Sequence, residues 1–515
     1  MLSIVSRRAR TFQLALALAA LAVVAGCSDT SRAADFADEL RARVEMLLAD
    51  PGGSALGDAL AERTLLARFY AERGGRPAWV DGQRVREGVA RDLLDAVNKS
   101  GEHGLRPPSY HADAIARELE GRDPPAPDRA AAFDVLLSDA FLHLARHLAQ
   151  GAIDPRALQS GFERAPEPAL DVVRVLDAAL ESGAITDALA QSAPPHAGYQ
   201  SLVRALARLR EAQTAGDRAA QARADQVRAN LERWRWLPRD LGARHLIVNV
   251  AEFRLEAFDG GELRLAQRVV VGEKDWKTPL VSGAISHLVV NPAWRVPSSI
   301  ATKEMLPAAK RDPGYFRAKD IQVLVGKTSD DLREVDSRRI DWRRVDAKSF
   351  SYHLRQPPGP HNPLGRIKFA FENPFGVYLH GTPGDRAFAR GLRALSHGCV
   401  RVEDEVGLAE FALAPDPAWT HERLLETLTN AWEYRVPLPQ PLPLHLVYFT
   451  ATARADGEVE LDKDPYGWDR ELIAALDPRP ARLSTAFTEL EAPRSAADSP
   501  GLPVRAAHTP RRESR

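Results

Sequence analysis

A change in hydrophobic periodicity near His245 constrains the fold of this 515-residue chain more than any other feature. From residue 31 to 235 apolar residues recur at helical spacing, with one apolar stripe along residues 133–148. Beyond His245 the apolar runs are short and alternate as strands do, and a turn signal at residues 259–261 joins two of them into a hairpin. The sequence therefore predicts an α+β protein, helical over 31–235 and mostly β over 236–475.

Two further segments differ in composition from the domains around them. Residues 291–360 contain four prolines between positions 292 and 313 together with charged stretches, and they interrupt the β-rich part. A long insertion of this kind is a candidate lid or capping subdomain. Residues 478–515 are rich in Pro, Ser, Ala and Arg, which predicts a disordered tail.

The N-terminus has the features of a secretory signal over residues 1–26. A basic stretch precedes an apolar run at 14–25, which is shorter than the roughly 20 residues of a membrane-spanning helix. The run ends in Val24-Ala25-Gly26-Cys27, which resembles a bacterial lipobox, and Ser28 is typical of lipoproteins sent to the outer membrane. We expect a periplasmic protein, lipid-anchored to the outer membrane at Cys27. The alternative is an ordinary cleaved signal that contains Cys27.

A single thiol remains if Cys27 is acylated, because the chain has only two cysteines. Cys399 then has no disulfide partner, and a free thiol in an exported protein suggests a nucleophile. An imidazole must take its proton, and both His380 and His397 lie near it in sequence. Spacing alone does not choose between these histidines. The backbone N–H groups of Gly398 and Cys399 are candidate oxyanion donors.

Composition excludes several other classes of protein. A net charge of −1 argues against a nucleic-acid binder. His143 and His147 lie four apart on a predicted helix, but the glutamate of a zinc-protease motif is missing between them. We therefore expect them on a solvated helix face, and we predict no metal site.

A buried, inert Cys399 is the structural alternative to a nucleophile.

Two sequence blocks lie close together in the chain: His380-Gly381-Thr382, and then Ser396-His397-Gly398-Cys399-Val400-Arg401. In this order and at this separation, they resemble the signature of bacterial L,D-transpeptidases. The resemblance implies that Cys399 is the nucleophile and His380 the general base. It also implies that the Gly381 carbonyl orients His380 and that His397 is a support residue.

The same resemblance assigns the oxyanion and substrate contacts. These residues are Gly398, Tyr378, Ser396 and Arg401, with Tyr378 near the oxyanion. Many members of the family have Asn where Arg401 stands, and we interpret this arginine as a contact for a substrate carboxylate.

The likeness extends to the long, multidomain Gram-negative members of that family. It is carried by Trp79 and by residues 151–155, 231–238, 291–297, 312–315 and 363–369. It implies an α-helical scaffold domain, a mostly-β catalytic domain and an inserted capping subdomain. One departure is clear: only residues 211–230 remain where these proteins usually carry a peptidoglycan-binding domain, which needs roughly 50 residues.

The implied reaction is acyl transfer between peptidoglycan stem peptides. The thiol attacks the diaminopimelate carbonyl of a tetrapeptide donor, releases D-alanine, and passes the acyl group to the diaminopimelate amine of a second stem. The resemblance implies no metal or cofactor, and it implies acylation of the thiol by carbapenems. Two alternatives stay open: an L,D-carboxypeptidase or endopeptidase that uses water, and a non-enzymatic peptidoglycan-binding lipoprotein. The sequence leaves the oligomeric state open.

Overall fold

The computed structural model describes residues 38–477, except 51, 82–83, 122–125, 159–160, 164–168, 213–215, 329–330 and 455. The predicted signal peptide, Cys27 and the predicted tail lie outside the described residues. Across the described part of the chain, no helix is both long enough and apolar enough to cross a membrane.

The N-terminal half is helical, as predicted. Beyond a helix at residues 38–49, its helices are Arg63–Glu72, Glu87–Lys99, Ala112–Glu120, Pro127–Gln150, Pro155–Leu158, Val172–Ser182, Ile185–Ser192, Ala197–Glu211 and Arg218–Arg235. Short 3-10 turns at Ser100–His103 and Pro107–Tyr110 and two small hairpins, Ser54–Ala55 with Asp58–Ala59 and Val80–Asp81 with Arg84–Val85, connect them. We call this part the scaffold.

The helix Pro127–Gln150 runs through the centre of the scaffold and is buried on nearly every side. The expectation of a single apolar stripe, with His143 and His147 on a solvated face, is therefore wrong. His143 instead contacts Glu62 (Nδ1 to Oε1, 2.7 Å), and His147 contacts the Tyr110 hydroxyl (2.9 Å). Other helices surround this one, so its polar groups need partners inside the protein.

Buried polar residues of this central helix organise the loops around it. Asp134 accepts the backbone N–H groups of Ala78, Trp79 and Val80, and it also accepts the Tyr70 hydroxyl at 2.6 Å. These four donors satisfy a carboxylate that has no access to water. This contact fixes Trp79, one of the residues on which the family resemblance rests, in the scaffold core.

Nine of the strands described in the C-terminal half form its main sheet. They are β1 Arg244–Asn249, β2 Arg254–Asp259, β3 Glu262–Gly272, β4 Leu280–Val290, β5 Ile367–Phe371, β6 Leu379–His380, β7 Ala394–Ser396, β8 Val400–Val402 and β9 Tyr434–Val447. Eight of them pair in the closed order β1-β2-β3-β8-β6-β5-β4-β9 and back to β1, while β7 adds in parallel to β3. The predicted β2–β3 hairpin is confirmed, with Gly260 and Gly261 at positive φ in its turn.

Closure into a ring leaves none of these eight strands with a free edge, so backbone groups are paired on both sides. The ring encloses an apolar core that includes Leu246, Leu255, Ile285 and Phe369. The helices Glu405–Leu413 and His421–Leu428 pack against this core. The ring is therefore a rigid base for side chains on its outer face.

Residues 294–356, which we call the cap, form a small unit with its own core. Its four-stranded sheet has the order Trp294–Arg295, His353–Gln356, Gln322–Val325, Arg333–Val335. Its helical segments are Ser298–Ile300, a π-helix at Ala301–Met305, Leu306–Arg311, Tyr315–Ala318 and three 3-10 turns at Ser337–Arg339, Trp342–Arg344 and Ala347–Ser349. The first and last cap strands pair with each other, so the chain leaves and rejoins the ring at one place.

A buried polar network joins the scaffold to the segment after the ring. The helix Arg218–Arg235 directs Glu232 toward the scaffold, where it accepts Arg235 (2.7 Å) and the Ile153 N–H (2.8 Å). The same helix directs Arg233 toward Asp469 (2.5 Å). Asp469 belongs to the helix Trp468–Leu476, which follows a small hairpin of Ala451–Ala453 and Val459–Leu461. This one helix is thus fastened to the scaffold by the hydrogen bond from the Ile153 N–H to Glu232, and to the segment after the ring by the Arg233–Asp469 ion pair.

Replacing Asp469 with alanine should destabilise the protein strongly. Arg233 is 2 % exposed, so the substitution leaves a buried guanidinium without its carboxylate, which costs about 3–5 kcal/mol. Thermal unfolding followed by circular dichroism measures the effect. The control is Glu458→Ala, which breaks an exposed pair with Arg454 and should cost at most about 1 kcal/mol. Equal effects of the two variants would contradict a structural role for the buried pair.

Candidate active site

Three neighbouring strands place the site residues in one row. In β5 and β6, Lys368 lies opposite His380, and in β6 and β8, His380 lies opposite Arg401. Residues paired in register project to the same face of a sheet, and so do residues two apart on one strand. Tyr378 and Cys399 precede His380 and Arg401 by two positions, and the Val400 N–H donates to the Tyr378 carbonyl (3.1 Å). The fold therefore gathers all five residues on one face of the ring.

His380 is held in one orientation and one tautomer. It is 5 % exposed, and its Nδ1 lies 2.6 Å from the Gly381 carbonyl oxygen. A carbonyl only accepts hydrogen bonds, so Nδ1 carries the proton and Nε2 is the free base. Burial, and then the positive charges of Arg401 and Lys368, lower the pKa of His380 to about 3. The ring is therefore neutral over the physiological pH range.

Gly381 is required by the group packed beneath it. A Cβ at this position would fall 1.3 Å from Glu405 Oε2. That carboxylate accepts the backbone N–H groups of Arg366 and Ile367 at 3.0 and 3.2 Å. Burial raises the pKa of Glu405, and these N–H donors and Arg366 oppose the shift. Glu405 thus ties the start of β5 to the turn after β6, and the sequence analysis did not identify it.

The Cys399 thiol is half-buried, and burial raises its pKa. The Tyr378 hydroxyl is hydrogen-bonded to it, and Lys368 and Arg401 oppose the shift by favouring the thiolate. Burial also raises the pKa of Tyr378, so this hydroxyl remains a proton donor. It is therefore available to the oxyanion, the role expected from the resemblance.

Side-chain hydroxyls hold the turn that carries Cys399. Ser396 Oγ donates to the Cys399 carbonyl (2.6 Å) and accepts the Gly398 N–H (3.2 Å). Thr278 Oγ1 donates to the Gly398 carbonyl and accepts the Gly272 N–H, both at 2.8 Å. Gly398 itself adopts φ +110°, a conformation that favours glycine. The turn is consequently fixed before any substrate arrives.

These contacts correct one expectation about the oxyanion site. The Gly398 N–H was expected to face the oxyanion, but Ser396 Oγ already accepts it. The Cys399 N–H and the Tyr378 hydroxyl remain as the candidate donors. Ser396 acts on the turn, and not as a substrate contact, in this arrangement.

A tyrosine from beyond the ring completes the support of this turn. Tyr466 Oη donates to the Gly272 carbonyl (2.5 Å) and accepts the Thr278 N–H (3.2 Å). Thr278 and Tyr466 are 188 residues apart in sequence, and neither lies in a recognisable motif. Sequence reasoning had no signal with which to find them.

His397 points to the cap. Its Nε2 lies 2.5 Å from Glu304 Oε1, and its ring meets the ring of Trp276 edge-on at 5.4 Å. Lys303 Nζ lies 4.8 Å from the centre of the Trp276 ring, so two adjacent residues of the π-helix contact Trp276 and the turn that carries Cys399. Isolated π-helical turns often occur at functional sites. His397 therefore links the cap to the turn that carries Cys399.

Arg401 lies in the same row as Lys368 and His380. Its Nε is buried and has no hydrogen-bond partner among the described residues. Burial lowers the pKa of Arg401, but an arginine remains charged at neutral pH. An anionic ligand would satisfy this group, which agrees with the expected contact to a substrate carboxylate.

In the part of the chain that is described, no group of three or more His, Cys, Asp or Glu side chains is arranged to hold a metal ion.

Comparison with known proteins agrees with this geometry. Residues 243–425 match the family described as the L,D-transpeptidase catalytic domain, and residues 64–206 match the family described as the scaffold domain. A protein of Haemophilus influenzae named "Putative L,D-transpeptidase" is 29% identical over 424 residues, which cover 82% of this chain and 81% of the relative.

The solved structure called "Structure of the Ldtfm-avibactam carbamoyl enzyme" is 10% identical and covers 41% of this chain and 51% of that one. Its TM-score of 0.20 is too low to carry an argument. The two family matches divide the chain into a helical scaffold part and a mostly-β part that matches a catalytic domain. Residues 243–425 therefore form an L,D-transpeptidase catalytic domain, and residues 64–206 form a scaffold domain. The L,D-transpeptidase family acts on peptidoglycan stem peptides.

Replacing Gly398 with alanine should destabilise the catalytic turn. A Cβ there has space, since its nearest neighbours lie at 3.8 Å, so the cost comes from the backbone at φ +110° and is about 1–3 kcal/mol. The matched control is Gly391→Ala, in the same loop region with nothing within 4 Å of the added Cβ. Thermal unfolding of both variants measures the difference. A Gly398→Ala variant as stable as the control would contradict the fixed turn.

The alkylation of Cys399 should depend on pH in a single rising step. Only the thiolate reacts, and burial raises the pKa of the thiol, so the rate is low at neutral pH and rises through alkaline pH. His380 adds no step near its ordinary pKa of about 6.5, because it stays neutral down to about 3. The measurement is the iodoacetamide rate at the Cys399 peptide by mass spectrometry. A reactive plateau from about pH 4 to 8 would instead show a thiolate–imidazolium pair.

Proposed function

We propose that this protein crosslinks peptidoglycan by transferring an acyl group through Cys399. The observation that carries the proposal is the face shared by Cys399 and a histidine, His380, whose Nδ1 is committed to the Gly381 carbonyl. That arrangement leaves one basic nitrogen near one nucleophile, as acyl transfer requires. The family match supports the same chemistry.

In the first half-reaction, His380 Nε2 takes the proton of the Cys399 thiol. The sulfur attacks the carbonyl carbon of diaminopimelate, the third residue of a tetrapeptide stem. The oxyanion that forms is stabilised by hydrogen bonds from the Tyr378 hydroxyl and the Cys399 N–H. The bond to the terminal D-alanine breaks, and its amine leaves with the proton from His380. Arg401 pairs with a carboxylate of the donor stem.

In the second half-reaction, the side-chain amine of a second stem attacks the thioester. His380 takes a proton from that amine, and the Cys399 sulfur leaves and regains a proton. The product joins the third residues of two stems, and the enzyme returns to its starting state. Nothing in this sequence of steps needs an oxidant, a metal or a cofactor.

The cap supports a transferase, because it is placed where it can limit the access of water. Glu304 and Lys303 contact His397 and Trp276, so the cap lies against the turn that bears the thioester. Keeping water from a reactive acyl-enzyme favours the amine acceptor. We infer that the cap serves the second half-reaction by excluding water while the acceptor stem enters.

We also infer that the protein works in the periplasm, held to the outer membrane by a lipid on Cys27. The support is the basic stretch, the short apolar run and the Val24-Ala25-Gly26-Cys27 sequence. Such an anchor places the catalytic domain beside the cell wall, which compensates for the missing peptidoglycan-binding domain. Metabolic labelling with palmitate tests it: the wild type should incorporate the label and Cys27→Ala should not.

The reaction is tested with a protein that begins at Ser28 and with purified disaccharide-tetrapeptide. Mass spectrometry should show a dimer that has lost one D-alanine. Cys399→Ala should abolish it, and His380→Ala should slow it by about 10²–10⁴-fold, since it removes the general base. His361→Ala, an exposed histidine of the segment that follows the cap, is the matched control and should keep full activity.

Other outcomes would change the function assigned to the protein. Tripeptide without dimer would indicate an L,D-carboxypeptidase, and cleavage of preformed crosslinks would indicate an endopeptidase. If no product forms, and a carbapenem does not acylate Cys399, the enzymatic proposal fails and a peptidoglycan-binding lipoprotein becomes the better description.

A further inference from the structure

Lys368 is a charged residue of the catalytic face for which the reaction steps above have no use. It lies in the middle of β5, directly opposite His380 in the antiparallel pair β5–β6. Its Nζ lies 3.9 Å from the centre of the Tyr378 ring. The hydroxyl of Tyr378 is hydrogen-bonded to the Cys399 thiol. A half-buried ammonium is costly to maintain in such a place, which suggests that it has a function.

The groups that face the thiol come from all three strands of the row. They are Lys368 from β5, Tyr378 and His380 from or next to β6, and Arg401 from β8. Lys368 in turn faces Arg295 of the cap and Glu433 next to β9, whose charges act on it with opposite sign. Around the sulfur itself the fixed charges are therefore positive, from Lys368 and Arg401.

This charge pattern has opposite effects on the two reacting groups. A fixed positive charge favours the thiolate and disfavours an imidazolium. In a thiolate–imidazolium pair the histidine supplies the cation, but here His380 is buried between two cations that oppose its protonation. The positive charge that the thiolate needs must come from another residue.

We propose that Lys368 supplies this charge and stabilises the Cys399 thiolate electrostatically, in place of a protonated His380. The inference rests on the proposed function only in taking Cys399 as the nucleophile. The proton of the thiol passes to His380 Nε2 and from there to the leaving amine, while Lys368 keeps its own proton throughout. His380 is thus a carrier that holds the proton briefly. Burial lowers the pKa of Lys368, and Lys368 is the cation that acts on the thiolate at neutral pH.

Lysine suits this role better than the neighbouring arginine. An ammonium is a compact point charge, whereas a guanidinium spreads its charge over a planar fork suited to carboxylates. The buried, unpartnered Nε of Arg401 leaves that fork for an anionic ligand. The contact of Lys368 with the Tyr378 ring holds the ammonium on the side of the tyrosine hydroxyl and the thiol.

The test compares the alkylation of Cys399 by iodoacetamide in full-length wild type and in Lys368→Met, between pH 6 and 10. Mass spectrometry of the Cys399 peptide reads the rate, so Cys27 does not interfere. Removing an opposite charge beside the thiolate should raise the midpoint of the profile by about one pH unit. The rate at pH 8 should then fall about tenfold.

Two further variants separate charge from packing. Lys368→Arg restores a positive charge and should keep the midpoint within about 0.3 pH units of wild type. Lys277→Met removes a matched lysine, whose Nζ lies 5.1 Å from the centre of the Trp468 ring, and should leave the profile unchanged. If Lys368→Met does not fold, Lys368→Gln removes the same charge with a polar side chain.

An unshifted midpoint in a folded Lys368→Met or Lys368→Gln protein would overturn the inference. A rate lowered equally at every pH would also overturn it, because that result indicates a structural role. Alkylation needs no peptidoglycan, so the outcome is independent of whether crosslinks form. A Lys368-dependent midpoint in a protein that makes no dimer would support Lys368 and reject the transpeptidase.

Discussion

Strand β6 is two residues long, and the site depends on its being held between β5 and β8. So short a strand has no stability of its own, because it makes few hydrogen bonds and buries little surface. Closure of the eight-stranded ring supplies the missing constraint. Once β6 is paired on both sides, the register alone decides that Lys368, His380 and Arg401 form a row and that Cys399 lies beside them.

The contacts around this row consist of polar groups that protein interiors normally exclude. Glu405 occupies the space that a side chain at Gly381 would need. Thr278 donates to the Gly398 carbonyl of the Cys399 turn, and Tyr466 in turn bonds to Thr278 and Gly272. Glu405, Thr278 and Tyr466 are each hydrogen-bonded, so the cost of burying them is small in the resting protein. The same burial lowers the pKa of His380 and raises that of Cys399, so both groups are neutral in the resting protein at neutral pH.

Distant parts of the chain converge on this one face. The cap contacts the turn through Glu304 and His397, whereas Tyr466 of the segment after the ring contacts Thr278, which bonds to the turn. That segment is in turn fastened to the scaffold by Arg233 and Asp469. The scaffold therefore supports the catalytic turn indirectly, by fixing the helix Trp468–Leu476 and the tyrosine just before it.

The sequence alone determined the order of the two halves, the β2–β3 hairpin and the two motif blocks, because periodicity, turn residues and close spacing are local properties. It did not show that the helix Pro127–Gln150 is buried on nearly every side, since a pattern of apolar residues does not reveal how many neighbours will surround a helix. It also could not show that Ser396 takes the Gly398 N–H, or that Lys368, Glu405 and Thr278 join the site. Thr278 and Gly398 are 120 positions apart, and only the closing of the ring brings them together. The motif residues are neighbours in the sequence. The charged and hydrogen-bonding residues around them are brought there by strand pairing, which only the tertiary structure decides.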